Sequence, residues 1–560
     1  MRQLPKGHSD FKKIREQNLY YIDKSLFIEE IIADTTEVIL LPRPRRFGKT
    51  LNLSLLKYFF EKSEQNYTGL FDGLQITKRP CFSLHQRRYP VIFLTFKGIK
   101  VLTYENAVEQ LTLLIANEYG RHTYLLSSPH LTEKQKQDFE QVYLGKAITS
   151  LWQNSLKDLS KYLYLHHQEK VVILIDEYDT PIQAAWLNDY YEEMINFMRV
   201  FLGEGLKENP SLFKSVITGI MRVSKESIFS GLNSIWVYTT TSNQYSDKFG
   251  FTESEIDKVI VDFALAEKQQ VLKDWYNGYQ SGTITIYNPW SVINYLSSQD
   301  PFPRPYWVNT SDNALIKQLI FDSNLNVNED IETLIKGEII RKRLDENIVF
   351  QNIAKKDISL FSFLYFAGYL KHEQLLIIDD EIYADLKIPN REVRIFYKNV
   401  VQAWIDDSPA SNQLVTRLLK ALLKRDIRLF ERLFSDFVRD TLSYFDTNKK
   451  TVEAVYQAFL LGILVNLVPT YEIESNQESG YGRYDIALIP KDKQDLSIIM
   501  ELKVVDDFYE ETKDAALASA LQQIKEKEYE AGLRKRGITD ILVLAVTFDG
   551  KRVWVKEGEK

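Results

Sequence analysis

A glycine-lysine-threonine segment near the N-terminus has the residue types that bind phosphate. RPRRFGKT occupies residues 43–50, after the apolar run EVILLP at 37–42 and before an amphipathic stretch. Backbone N–H groups at such a helix start can hold phosphate oxygens. Lys49 would reach the β- and γ-phosphates, and the Thr50 hydroxyl would ligate Mg²⁺. The pattern predicts a nucleotide-binding loop, whose contacts we expect from Arg45, Arg46, Phe47, Gly48, Lys49 and Thr50.

This loop departs from the usual G-x-x-x-x-G-K-[ST] pattern at one position. Arg43 stands where the first glycine is expected, which leaves the conformation of the loop open. The alternative is a chance Gly-Lys-Thr in a basic turn.

Two acids end another apolar run. VVILIDEYD at 171–179 carries Asp176 and Glu177 directly after its apolar residues. In a parallel sheet, a carboxylate at the C-terminal end of a strand lies close to a phosphate-binding loop, where Mg²⁺ binds. We predict Asp176 as the metal ligand and Glu177 as the residue that orients or deprotonates the attacking water. A surface acid cluster after a core strand is the alternative.

Thr218 and Arg222 follow a further apolar strand, VITGI. The threonine could sense the γ-phosphate and the arginine could stabilise charge in the transition state. A strand-end cap for Thr218 and a surface position for Arg222 are equally compatible with the sequence.

A second carboxylate set lies near the C-terminus. Asp485 falls in one short strand, and Glu501 with Lys503 falls in the next. Residues i and i+2 of a strand share a face, and Asp485 can meet Glu501 if the strands pair as a hairpin. Two carboxylates that hold Mg²⁺, with a lysine that positions water or stabilises charge, suit phosphodiester hydrolysis. A salt-bridged hairpin without activity is the alternative.

The elements that must position these residues alternate along the chain. Short β-branched runs separated by amphipathic stretches predict an α/β domain with a parallel sheet over residues 1–290. Residues 291–400 become helical and form a connecting domain, in which 378–386 could make a small β-wing of winged-helix type. Residues 401–560 predict a second α/β domain, with a strongly helical segment over 514–537.

Composition excludes several classes of protein. The single cysteine, Cys81, excludes an internal disulfide and a cysteine-based zinc site. The start of the chain has no apolar signal core, and the longest apolar run, 458–468, is roughly half of what a bilayer needs. We therefore expect a cytoplasmic protein without a membrane span. Residues 451–560 hold 14 Lys and Arg against 20 Asp and Glu, which counts against nucleic-acid binding there.

The ordered motifs of the chain resemble a known bacterial family, the AAA-ATPase-like proteins with a C-terminal PD-(D/E)XK nuclease-like domain. The resemblance covers most of the chain, and Arg43 in place of the glycine is usual in this family. Its motifs here are PKGHSDFKKIREQNLYYIDKS (5–25), RPRRFGKT, IDEYDTPI (175–182), TGIMRVSKESIFSGLN (218–233), WYNGY (275–279), YNPWS (287–291), YWVNTS (306–311), ESGYGRYDIALIP (478–490) and IIMELKVVDD (498–507).

The resemblance implies a P-loop NTPase (AAA-like) domain and a restriction-endonuclease-like C-terminal domain, with ATP and Mg²⁺ as cofactors. In the resembled superfamily an acid on the preceding helix and a glutamine on the following helix complete the nuclease site. Glu453 and Gln523 match those places, and Gln522 is a neighbour that remains open. Tyr529 resembles a structural part of the same motif. Nucleic acid, most simply DNA, is the implied substrate.

Two sites on one chain suggest an ATP-binding regulatory module that gates a Mg²⁺-dependent nuclease module. One alternative is a nucleotide-switched scaffold whose C-terminal domain binds a protein partner without cutting. Another is a nucleic-acid-binding ATPase whose C-terminal domain only grips its substrate. An arginine supplied by another copy would imply an oligomer, but no residue in the sequence identifies it.

Overall fold

Five strands in the N-terminal half form a parallel sheet in the computed structural model of the chain. The strands are β1 (Val38–Pro42), β2 (Val91–Thr95), β3 (Val171–Asp176), β4 (Leu212–Gly219) and β5 (Ile235–Val237). Their spatial order is β2-β3-β4-β1-β5. Every residue of β1 and β3 is buried, as expected for parallel strands covered on both faces. The predicted α/β fold with a parallel sheet is confirmed.

The structure describes most of the chain. The described residues are 2–221, 235–298, 302–308, 316, 319–320, 325–346, 357–406, 411–441, 456–457, 460–461, 463–464, 467, 470–479, 482–505, 512–549 and 552–558. They fall into two compact units. Unit 1 comprises Met1–Asp322 and Gly337–Ile395, and unit 2 comprises Ser323–Lys336 and Phe396–Lys560. The domain limits expected at residues 290 and 400 stay predictions.

The helices begin and end at residues with recognisable caps. Thr103 caps one helix with its side chain, and Thr132 and Thr252 each form a capping box with the residue three positions on. In chain order the helices are α1 (Phe11–Glu16), α2 (Leu26–Ala33), α3 (Lys49–Phe60), α4 (Pro80–His85), α5 (Tyr104–Gly120), α6 (Glu133–Tyr143), α7 (Thr149–His167), α8 (Thr180–Leu187), α9 (Tyr191–Leu206), α10 (Glu253–Phe263), α11 (Gln269–Tyr276), α12 (Pro289–Ser297), α13 (Leu325–Lys336), α14 (Asp357–Phe366), α15 (Arg391–Asp406), α16 (Ser411–Leu423), α17 (Ile427–Thr441), α18 (Lys513–Glu526) and α19 (Tyr529–Lys535).

Two small antiparallel sheets complete unit 1. One has the order β6-β8-β7, with β6 (Phe251–Thr252), β7 (Tyr279–Ser281) and β8 (Ile284–Tyr287). The other has the order β10-β11-β9, with β9 (Ile340–Arg343), β10 (Lys371–Ile378) and β11 (Glu381–Lys387). The expected wing therefore exists as the β10–β11 hairpin, which turns at Asp379 and Asp380 with φ of 49° and 63°.

Unit 2 is built around a mixed five-stranded sheet. Its strands are β12 (Tyr471–Ser479), β13 (Gly482–Pro490), β14 (Ser497–Val504), β15 (Ile541–Asp549) and β16 (Arg552–Glu557), in that spatial order. Only the β14–β15 pair is parallel among these neighbours. Ile486 and Met500 pack on the side of α16 and α17, whereas Ala487 and Ile499 pack on the side of α18 and α19. The two-residue period of the strands thus fills a core on each face.

The helical segment of unit 2 that precedes β15 contains a break. The strongly helical segment expected over 514–537 consists of two helices, α18 and α19, separated at Glu528, whose φ is 50°. No helix among the described residues combines the length and apolar character that a membrane crossing requires.

Candidate nucleotide and nuclease sites

The predicted phosphate-binding loop joins the buried strand β1 to helix α3. Gly48 precedes the helix with φ of 85°, a left-handed conformation that costs glycine little, and Arg46 also has a positive φ, 67°. Helix α3 therefore begins at Lys49 with its first N–H groups unbonded within the helix. The Phe47 ring is buried and packs edge-on against Tyr279 at 5.0 Å. This is a loop with a helix N-terminus at its end, as the sequence predicted.

Lys49 is folded back onto its own loop. Its Nζ donates to the carbonyl oxygens of Arg43 and Pro44, both at 2.9 Å, and the side chain is 4% exposed. Burial lowers the pKa of this ammonium, while the nearby Glu177, Asp179 and Asp176 act in the opposite direction. A buried cation held only by carbonyl oxygens is well suited to accept phosphate oxygens.

Asp176 lies at the end of β3 between two threonine hydroxyls. Thr50 Oγ1 donates to Asp176 Oδ2 at 2.7 Å, and Thr218 Oγ1 donates to Oδ1 at 2.8 Å. A longer contact from Thr95 Oγ1 to Oδ2 measures 3.5 Å. The carboxylate is fully buried. Burial raises its pKa, whereas the hydrogen bonds from the Thr50 and Thr218 hydroxyls act in the opposite direction. Thr218 thus contacts Asp176, because β4 lies between β1 and β3 in the sheet.

The acids that follow Asp176 have different positions. Glu177 has φ of 53° and lines the cavity beside the loop. Asp179 is buried and accepts hydrogen bonds from the backbone N–H groups of Ile220 at 2.9 Å and Met221 at 3.2 Å. Glu177 therefore faces the cavity, and Asp179 holds the chain that leaves β4 through these two hydrogen bonds.

A cavity of about 280 Å³ lies against the loop. Its lining includes the predicted residues 45–50 together with Lys97 and Lys100. It also includes apolar side chains, most of which pack in one cluster: Leu4, Tyr20, Ile22, Phe251, Val259, Val292, Ile293 and Leu296. A cavity with both basic and apolar lining suits a ligand that has an anionic part and an apolar part. Sequence reasoning missed Lys97, Lys100 and the apolar residues, because no local spacing connects them to the loop.

Arg43, which stands in place of the usual glycine, lies outside this cavity. Arg43 is fully buried, and its Nη1 donates to the carbonyls of Pro42 at 2.8 Å and Tyr238 at 2.6 Å. Its guanidinium lies over the Phe249 ring at 5.1 Å, and burial lowers its pKa to about 9. The arginine is absent from the residues that line the cavity, so it does not obstruct phosphate. Arg222, the other arginine considered, lies outside the described residues.

The second predicted site lies on β13 and β14. These strands pair antiparallel with Ile486 opposite Met500, and the same register continued by one step sets Asp485 opposite Glu501. The Leu502 N–H donates to Asp485 Oδ2 at 2.7 Å. Lys503 Nζ lies 3.6 Å from Glu501 Oε1. Burial raises the pKa of Asp485, and the Lys503 charge opposes this shift. The structure therefore brings all three residues together.

Gln523 on α18 joins this group. Its Nε2 donates to Glu501 Oε1 and contacts Tyr529 Oη at 3.2 Å. Gln522 instead donates to Glu526 at 2.7 Å. The open choice between the two glutamines therefore resolves in favour of Gln523 as the neighbour of the carboxylates.

Oxygen donors that could hold a metal ion lie at both sites. Within the described part of the chain, no group of three or more His, Cys, Asp and Glu side chains is placed to hold a metal ion. Glu453 lies outside the described residues. Mg²⁺ is commonly held by one or two carboxylates together with substrate phosphates, and both sites offer such oxygens. The pairs Thr50–Asp176 and Asp485–Glu501 therefore fit this ion.

Comparisons with known proteins match two regions of the chain. Residues 5–229 match the family model described as AAA-ATPase_like, Predicted AAA-ATPase. Residues 451–558 match the model of the PD-(D/E)XK nuclease superfamily. A relative from Azotobacter chroococcum mcd 1 is described as "Uncharacterized protein in vnfD 5'region". It is 27% identical over an alignment of 561 residues, which covers 98% of this chain and 96% of that protein. The resemblance predicted from the motifs is confirmed.

Proposed function

We propose that this chain, which belongs to the AAA-ATPase-like proteins with a C-terminal PD-(D/E)XK nuclease domain, binds and hydrolyses ATP and cleaves DNA at a separate site. The observation that carries the nucleotide assignment is the row of contacts Thr50–Asp176–Thr218 beside a cavity lined by both basic and apolar side chains. A hydroxyl and a buried carboxylate 2.7 Å apart, next to a lysine, are the groups that a triphosphate and its metal require.

At the nucleotide site each residue has a defined task. Lys49 exchanges the carbonyl oxygens of its own loop for phosphate oxygens and neutralises part of their charge. Thr50 and Asp176 hold Mg²⁺, which supplies further neutralisation of the phosphates when bound. Glu177 accepts a proton from the attacking water or orients it, because its carboxylate lines the cavity at the end of β3.

At the nuclease site the residues act on a phosphodiester. Asp485 and Glu501 hold Mg²⁺, which supplies a polarised phosphoryl oxygen and a more acidic bound water. Lys503 places a positive charge within 3.6 Å of Glu501, where it stabilises charge on the phosphorus oxygens. Gln523 fixes the orientation of the Glu501 carboxylate by donating to Oε1. The Leu502 N–H holds Asp485 in the same way.

The nucleotide assignment is tested by isothermal titration of Mg²⁺ and ATP into wild type and Lys49→Ala. The control variant is Lys134→Ala, whose side chain is 85% exposed. We expect Lys49→Ala to abolish binding and Lys134→Ala to bind like wild type. Equal affinity of all three proteins would refute the assignment.

The nuclease assignment is tested by cleavage of single- and double-stranded DNA and RNA in Mg²⁺ or EDTA. We expect Mg²⁺-dependent cleavage of DNA by wild type and none by Asp485→Asn. We propose further that the ATP state gates this cleavage, so Lys49→Ala should lose the response to ATP while it retains the metal-dependent site. Cleavage in EDTA equal to that in Mg²⁺ would contradict the metal assignment.

A further inference from the structure

Two indole rings hold consecutive residues of the phosphate-binding loop. Trp307 Nε1 donates to the Arg45 carbonyl oxygen at 3.0 Å. The Arg46 guanidinium lies over the Trp290 ring, 4.4 Å from its centre. The tryptophans belong to the motifs YWVNTS and YNPWS, which the proposed chemistry leaves unused. The loop is therefore fixed from outside by residues more than 240 positions away.

The bond to Arg45 has a geometric consequence for phosphate binding. The Arg45 carbonyl and the Arg46 N–H belong to one planar trans peptide, so they point in opposite directions. The indole that draws the carbonyl to one side directs the N–H to the other. Arg46 also has φ of 67°, a conformation that costs a non-glycine residue energy and persists only where surrounding contacts impose it. Trp307 supplies one such contact.

Trp307 is itself held on both its backbone and its ring. Its backbone N–H donates to Glu392 Oε1 at 2.6 Å. Ser291 Oγ donates to Oε2 of the same side chain at 2.8 Å. The side chain is 1% exposed, with Tyr369 at 4.9 Å and Tyr279 at 6.0 Å between ring centres. The indole N–H therefore has little freedom to leave the Arg45 carbonyl.

We propose that Trp307 is a positioning residue for phosphate binding, acting through the Arg45–Arg46 peptide. The inference rests on the proposed function, since it requires the loop to bind the phosphates of a nucleotide. Backbone N–H groups of such loops cradle the α- and β-phosphates, and in this proposal the Arg46 N–H contacts the β-phosphate. Trp307 does not itself need to touch the nucleotide, and it sets the direction of an N–H that does.

The test is Trp307→Phe, which keeps an aromatic ring and removes the N–H donor. Affinities for ATP, ADP and AMP are measured in Mg²⁺ by isothermal titration. We expect affinity for ATP and ADP to fall roughly three- to tenfold, the effect of one neutral hydrogen bond, with little change for AMP. Trp236→Phe, at a side chain that is 60% exposed, is the control and should behave like wild type.

A purely structural role for Trp307 would give a different pattern. All three nucleotides would then lose affinity equally, or none would, and either result overturns the proposal. If Trp307→Phe does not fold, Ser291→Ala removes a donor to Glu392 one step further from the loop. Ser291→Ala should weaken the binding of ATP and ADP more than that of AMP, to a smaller degree than Trp307→Phe. Affinities equal to those of wild type would overturn the proposal. Wild type that binds no ATP, with Lys49→Ala indistinguishable from it, refutes the proposed function instead.

Discussion

Thr218→Val removes the hydroxyl that contacts Asp176 and keeps the shape of the side chain. The carboxylate is fully buried and has two short hydrogen bonds, of 2.7 and 2.8 Å, so the substitution removes one of them. A hydrogen bond to a charged group contributes about 1.5–3 kcal/mol, which corresponds to roughly ten- to hundredfold in binding. Loss of residues that orient metal ligands weakens metal affinity by roughly the same 10- to 100-fold.

The assay is titration of ATP and ADP into wild type and Thr218→Val, each in Mg²⁺ and in EDTA. Because Asp176 is proposed to hold the metal, we expect about tenfold weaker binding of both nucleotides in Mg²⁺ and no difference in EDTA. Thr95→Val is a matched control, since its hydroxyl lies 3.5 Å from the same carboxylate and should contribute little. Weaker ATP binding with unchanged ADP binding would refute this role and support direct sensing of the γ-phosphate by Thr218.

Three further substitutions test other contacts. Gly219→Ala sets a methyl group 2.7 Å from two buried side chains and should destabilise the protein by about 1–3 kcal/mol in thermal unfolding, whereas Gly203→Ala, with open space around it, should not. Burial raises the pKa of Glu392 from its ordinary value of 4.5 to about 8, so stability should fall as pH rises between these two values. Glu392→Gln should flatten this dependence of Tm on pH. Gln523→Ala should slow DNA cleavage roughly 10- to 100-fold, while Gln522→Ala should leave the cleavage rate unchanged.

Local patterns predicted the parts of the molecule that local interactions determine. Strands β1 and β3 are nearly continuous apolar runs and β4 contains a shorter one, and the residues at their C-terminal ends meet at one edge of the sheet. Lys49, Thr50 and Asp176 could therefore be assembled from the sequence alone. Glu501 and Lys503 share a strand face, and the antiparallel register brings Asp485 to them.

Other parts depend on contacts between distant residues. Strand β12 reads YEIESNQES, where polar residues obscure the alternation of Tyr471 and Ile473, so the strand was not predicted. The break at Glu528 lies in a segment of strong helix formers, and tertiary packing of α19 outweighs that propensity. Trp307 reaches Arg45 across 262 positions, and no spacing in a single sequence reveals such a pair.

The central claim is that one chain carries two chemically separate sites, and Glu501→Gln tests it most directly. The side chain keeps its size and loses the charge that would hold a metal ion. Plasmid cleavage and ATP binding are measured on the same preparation, beside wild type. We predict that cleavage is lost while ATP binds with wild-type affinity. Cleavage by Glu501→Gln at the wild-type rate would contradict the nuclease site on β13 and β14.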